Sequence, residues 1–468
     1  MDGDLDCLVI NNSPLPFSSL NYAGMRDTDI DQWTGDDKMK GGGNHLFRND
    51  NNRFSEVTKE AGLHTGLISF GLGVSVGDIN GDNYPDVYVG NDFIEKDYLY
   101  INQQNGTFTD KLEECIQQIS MSSMSSDLAD INNDGYPEIF TTDMIPDDDY
   151  RLKTTGTFDN IDLYLSKLKQ GLYNQYVKNA LQLNNKNGTF SEISNYSKVF
   201  GTDWSWGAVF LDADNDGFND LFICNGINKD LGDLDFLDFF SNDVYQKMLQ
   251  TGKRDEINEV LRHIPVTPLS NRVFKNDGQL NFTDVAKAWG LDEPSFSNSI
   301  AYGDLDGDKK EEAIILSSCN TGGTGNFTEL YIYKMVKNQP KRVMLLVGGD
   351  RADGGLREAR VEKGLLIVES NGVGEFGGAC CPEVVITNTY KFEGDGLRDI
   401  GEEKRRDLYP ATRISFDKGK FSKTIAVKIT QEEYIKRFVV GAAKGQILTA
   451  TVNAPNARVS LRRGDAEV

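Results

Sequence analysis

An all-β fold is what this 468-residue sequence predicts: a β-propeller of four-stranded blades followed by one or two small C-terminal β-domains. Three observations predict it. A nine-residue acidic loop recurs through the first two thirds of the chain, and each copy runs into a short β-prone segment. A hairpin pattern recurs between the loops. The 47 glycines fall largely in turn-like contexts, as a chain of many short strands requires.

The loop is clearest as Asp78-Ile79-Asn80-Gly81-Asp82-Asn83-Tyr84-Pro85-Asp86, followed by Val87-Tyr88-Val89. The spacing returns as Asp130, Asn132, Asp134 and Glu138, as Asp212, Asp214, Asp216 and Asp220, and as Asp304, Asp306, Asp308 and Glu312. Oxygen side chains thus hold positions 1, 3, 5 and 9, and a backbone carbonyl at position 7 (Tyr84, Tyr136, Phe218, Lys310) is expected to complete the set. Ca²⁺ takes roughly six to eight oxygens, and alternating acids in a tight loop turn several carboxylates inward together. Asp, Asn and Gly are also ordinary turn formers. Four complete copies favour the cation, because three or four like charges within nine residues repel unless neutralised. Position 6 wants a residue tolerant of positive φ, which Gly135 and Gly217 supply and Asn83 accepts. Lys309 departs from this, so the Asp304 loop is expected to be the weakest site. The Asp212 loop, with four carboxylates, is expected to be the tightest.

Taken in order, the chain opens on Met1-Asp2-Gly3-Asp4-Leu5-Asp6, which reads as the second half of a fifth acidic loop. An upstream piece, with any export signal, is therefore expected to be missing. Hairpins follow at 44–57, 97–110, 179–192 and 271–284, each two alternating strands joined by an Asn/Gly turn. Short apolar strands at 70–74, 206–210 and 299–302 lie between hairpin and loop. One unit is thus about four strands, and units repeated at this size favour propeller blades. Insertions at 145–178 and 227–268 lengthen the period. They carry Asp147-Asp148-Asp149, a helix-like stretch over 164–176, and Leu234, Phe236, Leu237, Phe239 and Phe240. They either cap blades or form a binding surface on one rim.

These Asp-x-Asn/Asp-x-Asp-x-x-x-Asp/Glu loops, with Phe70-Gly71 ahead and Asn-x-Leu-Phe-x-Asn hairpins between, resemble the FG-GAP/VCBS repeat proteins of bacteria. Their fold is like the β-propeller of integrin α-chains. The resemblance covers residues 1 to about 318. It implies calcium at the named loop positions, metal that stiffens the blades, and a role in surface binding or adhesion. The broken first loop and Lys309 depart from the family's pattern.

Beyond residue 318 the acidic loops stop. Alternating runs at 330–333, 343–347 and 365–368, with turns at 350–355 and 378–382, predict a second small β-domain over 319–410. Residues 411–468 resemble the start of a β-sandwich module of the prepeptidase C-terminal type. The six cysteines show no zinc-type pairs. Cys7 and Cys224 are expected as buried free thiols. Cys380 and Cys381 are expected to be structural, as plain thiols or with one bridged to Cys319.

The formal net charge of −23 is concentrated in the loops, which argues against nucleic acid and for divalent cations. No run of 18 apolar residues exists, so no transmembrane helix is expected. Calcium sites of modest affinity fill at millimolar metal, which favours a secreted, cell-surface or periplasmic protein. The expected partner is an extracellular protein or polysaccharide, and the oligomeric state stays open. The three histidines flank no nucleophile motif, and no GxSxG, HExxH or phosphate-cradling loop occurs. No catalytic residue is assigned, and the chain is read as a binding scaffold and not an enzyme. The alternative is a carbohydrate-active propeller enzyme using two acids, with Trp204 and Trp206 available to stack a sugar.

Overall fold

Strands too short to stand alone pair mostly with their nearest neighbours in the chain, and the larger sheets grow mainly by antiparallel pairing of successive strands. The structure is a computed structural model. It describes residues 4–12, 28–29, 32, 43–66, 69–92, 95–156, 160–240, 263–303, 312–320, 326–336, 339–350, 354–373, 382–393, 396–401, 403–409, 412–414, 423, 425, 437–440, 462–463 and 466–467. The fold is an all-β propeller, with six small antiparallel sheets in succession along the chain, most of them four-stranded. The chain divides into two units, Met1–Cys319 with Leu330–Leu346, and Asn320–Glu329 with Val347–Val468. Among the described residues no helix is long and apolar enough to cross a membrane.

Sheet A holds Cys7–Val9, His45–Asn49 and Phe54–Glu56. Sheet B holds Gly71–Gly77, Asp86–Asn91, Tyr98–Asn102 and Phe108–Asp110. Sheet C holds Ser126–Ala129, Glu138–Thr141, Ala180–Asn184 and Phe190–Glu192. Sheet D holds Ser205–Leu211, Asp220–Asn225, Arg272–Asn276 and Phe282–Asp284. Sheet E holds Ser297–Gly303, Glu312–Asn320, Asn326–Val336 and Gln339–Asp350. In the second unit, sheet F centres on Val384–Glu393, which pairs with Leu365–Gly372, Gly396–Asp399 and Lys404–Asp407.

The second strand of each blade explains the apolar runs after the acidic loops. Asp86–Asn91, Glu138–Thr141 and Asp220–Asn225 are buried at every residue, because both faces of the strand are covered. The cover is the next blade. Tyr88 and Leu99 of sheet B pack with Ile139 and Phe190 of sheet C. Phe140 and Leu181 of sheet C pack with Phe210, Leu221 and Phe274 of sheet D. Phe222 and Val273 of sheet D pack with Ile315 of sheet E. At about 1.5–3 kcal/mol for each large apolar side chain buried, the inter-blade layers are the main source of stability in this unit.

In each of sheets B to D the acidic loop joins strands one and two, and in sheets C and D the insertions fall in the connection between strands two and three. Antiparallel order therefore places acidic loops at one end of the blades and the 145–178 and 227–268 insertions at the other. The helix-like stretch over 164–176 forms a helix at Ile161–Lys169, capped by the Asn160 side chain on Leu163 N. It stops at Gly171, whose φ of 73° is left-handed, and Gln175–Tyr176 pairs in parallel with Ile119–Ser120. Cys224 is the buried thiol the sequence predicts, but Cys7 is exposed, because among the described residues sheet A has three strands and Cys7 lies on the edge one. The Cys319 side chain, Cys380, Cys381 and most of 411–468 lie outside the described residues.

Candidate metal centre

Each of the three described acidic loops is wound by its own first carboxylate. Asp78 Oδ1 accepts from the amides of Gly81 (2.8 Å) and Asp82 (3.0 Å), and Oδ2 accepts from Asn83 (2.7 Å). Asp130 takes the amides of Asp134 and Gly135, and Asp212 takes those of Asp216 and Gly217. Position 5 repeats the device two residues on: Asp82, Asp134 and Asp216 accept from Tyr84, Tyr136 and Phe218. Two left-handed residues make this winding affordable. Position 6 is one of them (Asn83, Gly135, Gly217), as the sequence predicts. Position 4 is the other (Gly81, Asn133, Asn215), a requirement the sequence reading missed although only Gly or Asn stands there in these three copies.

In the second and third loops the winding leaves position 3 facing inward, whereas in the first Asn80 is exposed and its Oδ1 accepts from the Asp82 amide at 3.0 Å. Asn132 Oδ1 and Asp214 Oδ1 are buried oxygens with no hydrogen-bond partner. A buried acceptor without a donor costs about 1–3 kcal/mol, so each of these atoms lacks something electropositive. In the third loop, oxygens of Asp212, Asp214 and Asp216 all lie within 4.8 Å of one another. The donor set is all oxygen, crowded and anionic, and it fits a hard cation such as Ca²⁺ better than a softer ion that prefers nitrogen or sulfur. Position 9 has another duty. Asp86 accepts from the amides of Ile79 (3.0 Å) and Asn102 (2.8 Å), and Asp220 from those of Ala213 and Asn276. Glu138 accepts from Ile131. Burial raises the pKa of Asp86 and pushes Glu138 and Asp220 up to about 7, against backbone amides that pull each down. Of the fourth loop, Asp304, Asp306, Asp308 and Lys310 lie outside the described residues, and Glu312 is buried at the start of its strand.

In sheets C and D the last asparagine of the hairpin strand stitches its loop to the preceding one. Asn184 Nδ2 donates to the Pro137 carbonyl of its own blade and to Ile79 O of the preceding loop (2.9 Å). Asn276 Nδ2 does the same to Asn219 O and Ile131 O (2.7 Å). Asn133 Nδ2 and Asn219 Nδ2 add contacts to Gly217 O and Asp130 O. The recurring asparagine was visible in the sequence as a hairpin feature, but its reach into the next blade was not.

The other candidates are placed elsewhere. In the insertions, Asp147 pairs with Arg272, Asp148 caps the helix Asp149–Thr154, and Asp149 pairs with Lys153. Arg151 grips Asp203 through two bonds of 2.9 Å and the fully buried Asp230 at 2.7 Å. These carboxylates raise the pKa of the guanidinium. Trp204 is buried and stacks on Trp206, whose indole N–H donates to Gly226 O. His45 bonds Glu56, His64 stacks on Tyr98, and His263 tilts against Phe239.

Residues 78–141 and 160–223 match the model of the FG-GAP-like repeat family, a span that contains the first three acidic loops. No curated protein matches the chain. Among solved structures, the chain is similar to an Agrocybe aegerita lectin described as recognising non-reducing terminal N-acetylglucosamine, at 12% identity over 78% of this chain and 87% of that one, with a TM-score of 0.25. A Clostridium thermocellum α-L-arabinofuranosidase is similar at 9% identity over 70% of this chain and 92% of that one, with a TM-score of 0.27. A Bacillus licheniformis rhamnogalacturonan lyase is similar at 12% identity over 74% and 54%, also at 0.27. Likenesses this slight carry no argument about function.

Proposed function

From the premise that this chain is a β-propeller built on FG-GAP-like repeats at 78–141 and 160–223, we propose that it is a calcium-binding extracellular scaffold for a protein or polysaccharide ligand. Calcium stiffens the blades and takes no part in chemistry. The observation that carries this reading is the pair of buried, unpartnered position-3 oxygens inside loops already wound by their own carboxylates. Asp78, Asn80 and Asp82 would hold one ion, Asp130, Asn132 and Asp134 a second, and Asp212, Asp214 and Asp216 a third. The carbonyls of Tyr84, Tyr136 and Phe218 and the acids at position 9 stand beside them in sequence. Bound calcium supplies the positive charge that these carboxylates lack, and the interlocked asparagines would spread its effect from loop to loop.

Binding and not catalysis is proposed because the conspicuous acids already have structural partners: backbone amides in the loops, and Arg151, Arg272 and Lys153 in the insertions. The ligand face is assigned to the insertion end, where Tyr150, Ile161 and Leu231 are exposed apolar side chains beside polar helices. Dependence on millimolar calcium would suit a secreted, cell-surface or periplasmic location. Calorimetric titration of the chelator-treated chain with calcium tests the first claim. Uptake of at least two ions per chain is the expected result, and no heat of binding would overturn it. Glycan and protein arrays probed with the calcium-loaded chain would then test the ligand class, with turnover of a bound polysaccharide counting against a scaffold.

A further inference from the structure

The third loop differs from the first two in the charge at position 3, and that difference is matched in the hairpin strand facing it. Position 3 is Asn80 in the first loop and Asn132 in the second, but Asp214 in the third. In the hairpin strand facing each loop, Ile101 pairs with Thr109 and Leu183 with Ser191, and the equivalent register in sheet D pairs Lys275 with Thr283. An extra carboxylate is thus accompanied by an extra lysine. They meet: Lys275 Nζ donates to Asp214 Oδ2 and, at 2.9 Å, to Asp216 Oδ2. Asp214 Oδ1, on a side chain that is itself buried, keeps no partner. The other loops have weaker versions of this contact from the hairpin turn. A neutral amide, Gln104 Nε2, reaches Asp82, and the half-exposed Lys186 reaches the single carboxylate of Asp134.

We propose that Lys275 is a tethered counter-cation of the Asp212 loop. Its ammonium holds two of the metal-facing carboxylates when calcium is absent, and it must swing out when calcium enters. This rests on the calcium reading above and adds a selective feature to it. Four carboxylates alone would make this the tightest loop. With Lys275 seated, its net charge falls to that of the three-carboxylate loops, and the entering ion must also displace an ammonium. The third loop is therefore the low-affinity, exchanging site among the three described loops, kept in shape without metal. The side chain that would leave is a strand residue on a flexible four-carbon stem, so no backbone change is needed.

The test is calcium titration by calorimetry of the full chain as wild type, Lys275→Gln and Lys275→Arg. Lys275→Gln should tighten one site by about tenfold or more and leave the others unchanged, while Lys275→Arg keeps the wild-type isotherm. Wild type that binds calcium beside an unaltered Lys275→Gln isotherm would overturn the counter-cation and leave the calcium reading standing. No uptake by any of the three would remove both. A second measurement needs only wild type: the rate of Lys275 acylation by an amine-reactive reagent, mapped by mass spectrometry with and without calcium. Release of the ammonium predicts faster modification with calcium, and an equal or slower rate would contradict it.

Discussion

At one end of sheets C and D the acidic loops crowd carboxylates around unpartnered oxygens, and at the other end the insertions crowd carboxylates around arginine. Asp203 and Asp230 share the Arg151 guanidinium, and Asp147 and Asp284 share Arg272. Both regions are equally acidic to the eye. They differ in whether the chain brings its own cation. Where a guanidinium is supplied in fixed geometry, the acids are satisfied and no ion is called for. Where the first carboxylate is spent on winding the loop and the third position is left buried without a donor, an external cation is what remains. Lys275 marks the boundary between the two cases, a loop of the metal type with a lysine inserted. Clustering of acids is therefore not the signal by itself; an unpartnered buried oxygen inside such a cluster is.

The comparison predicts a clear order of effects. Arg151→Ala strips the buried Asp230 of its partner and should cost about 3–5 kcal/mol in denaturant unfolding. That loss should be the same in calcium and in chelator; a loss that calcium reverses would mean the two ends are not independent. Asn276→Ala removes one of the three ties between the second and third loops and leaves Ile131 O without its donor, at about 1–3 kcal/mol by urea midpoint. If that cost vanished, the stitching between loops would be ornamental.

Asp97 gives a smaller, pH-dependent effect away from both regions. It is fully buried, accepts from Tyr88, Ser123 and the Asn91 amide, and burial pushes it up to about 7. The folded form thus holds its proton more tightly than the unfolded chain, where an aspartate titrates near about 3.9. Stability linked to Asp97 is fully present below about pH 4 and is lost as pH rises towards about 7. Asn44, Asn179 and Asn271 stand at the same hairpin position in sheets A, C and D. Asp97→Asn should accordingly match wild type at low pH and gain on the order of 1 kcal/mol at pH 8. An unchanged pH profile of melting would mean that the carboxyl is not protonated in the fold. Least affected is Lys153→Ala, which breaks an exposed i,i+4 pair with Asp149 and should cost under about 0.5 kcal/mol by thermal melting.

Much of this was legible in the sequence because the repeat is local. Loop spacing, hairpin boundaries and the short apolar strands all follow from turn chemistry and alternation within a few residues. Propeller architecture followed from counting strands per repeat. The rest depends on contacts between blades. Nothing near Asn184 or Asn276 in the sequence says that its amide will reach a carbonyl more than a hundred residues away. Nor does the sequence near Asp212 show that Lys275 will enter the loop, since the register of sheet D brings it there. Cys7 and Cys224 both follow an acidic loop inside an apolar strand, but Cys7 lies on an edge strand of a sheet with three strands among the described residues and is exposed. Arg151 carried no motif, and only the fold joins it to Asp203 and Asp230.

The most direct test of the central claim is thermal unfolding in calcium and in excess chelator, for wild type, Asp130→Asn and Arg151→Lys. Asp130→Asn keeps one of the two oxygens that wind the loop and removes one charge from the site, so its melting in calcium is compared with its own melting in chelator. A ligand that binds only the folded chain raises the melting temperature by mass action. The account predicts a rise with calcium in wild type, a smaller rise in Asp130→Asn, and a wild-type rise in Arg151→Lys even though that variant melts lower throughout. Equal melting with and without calcium in wild type would contradict it, and the acidic loops would then be turns held by their own carboxylates alone.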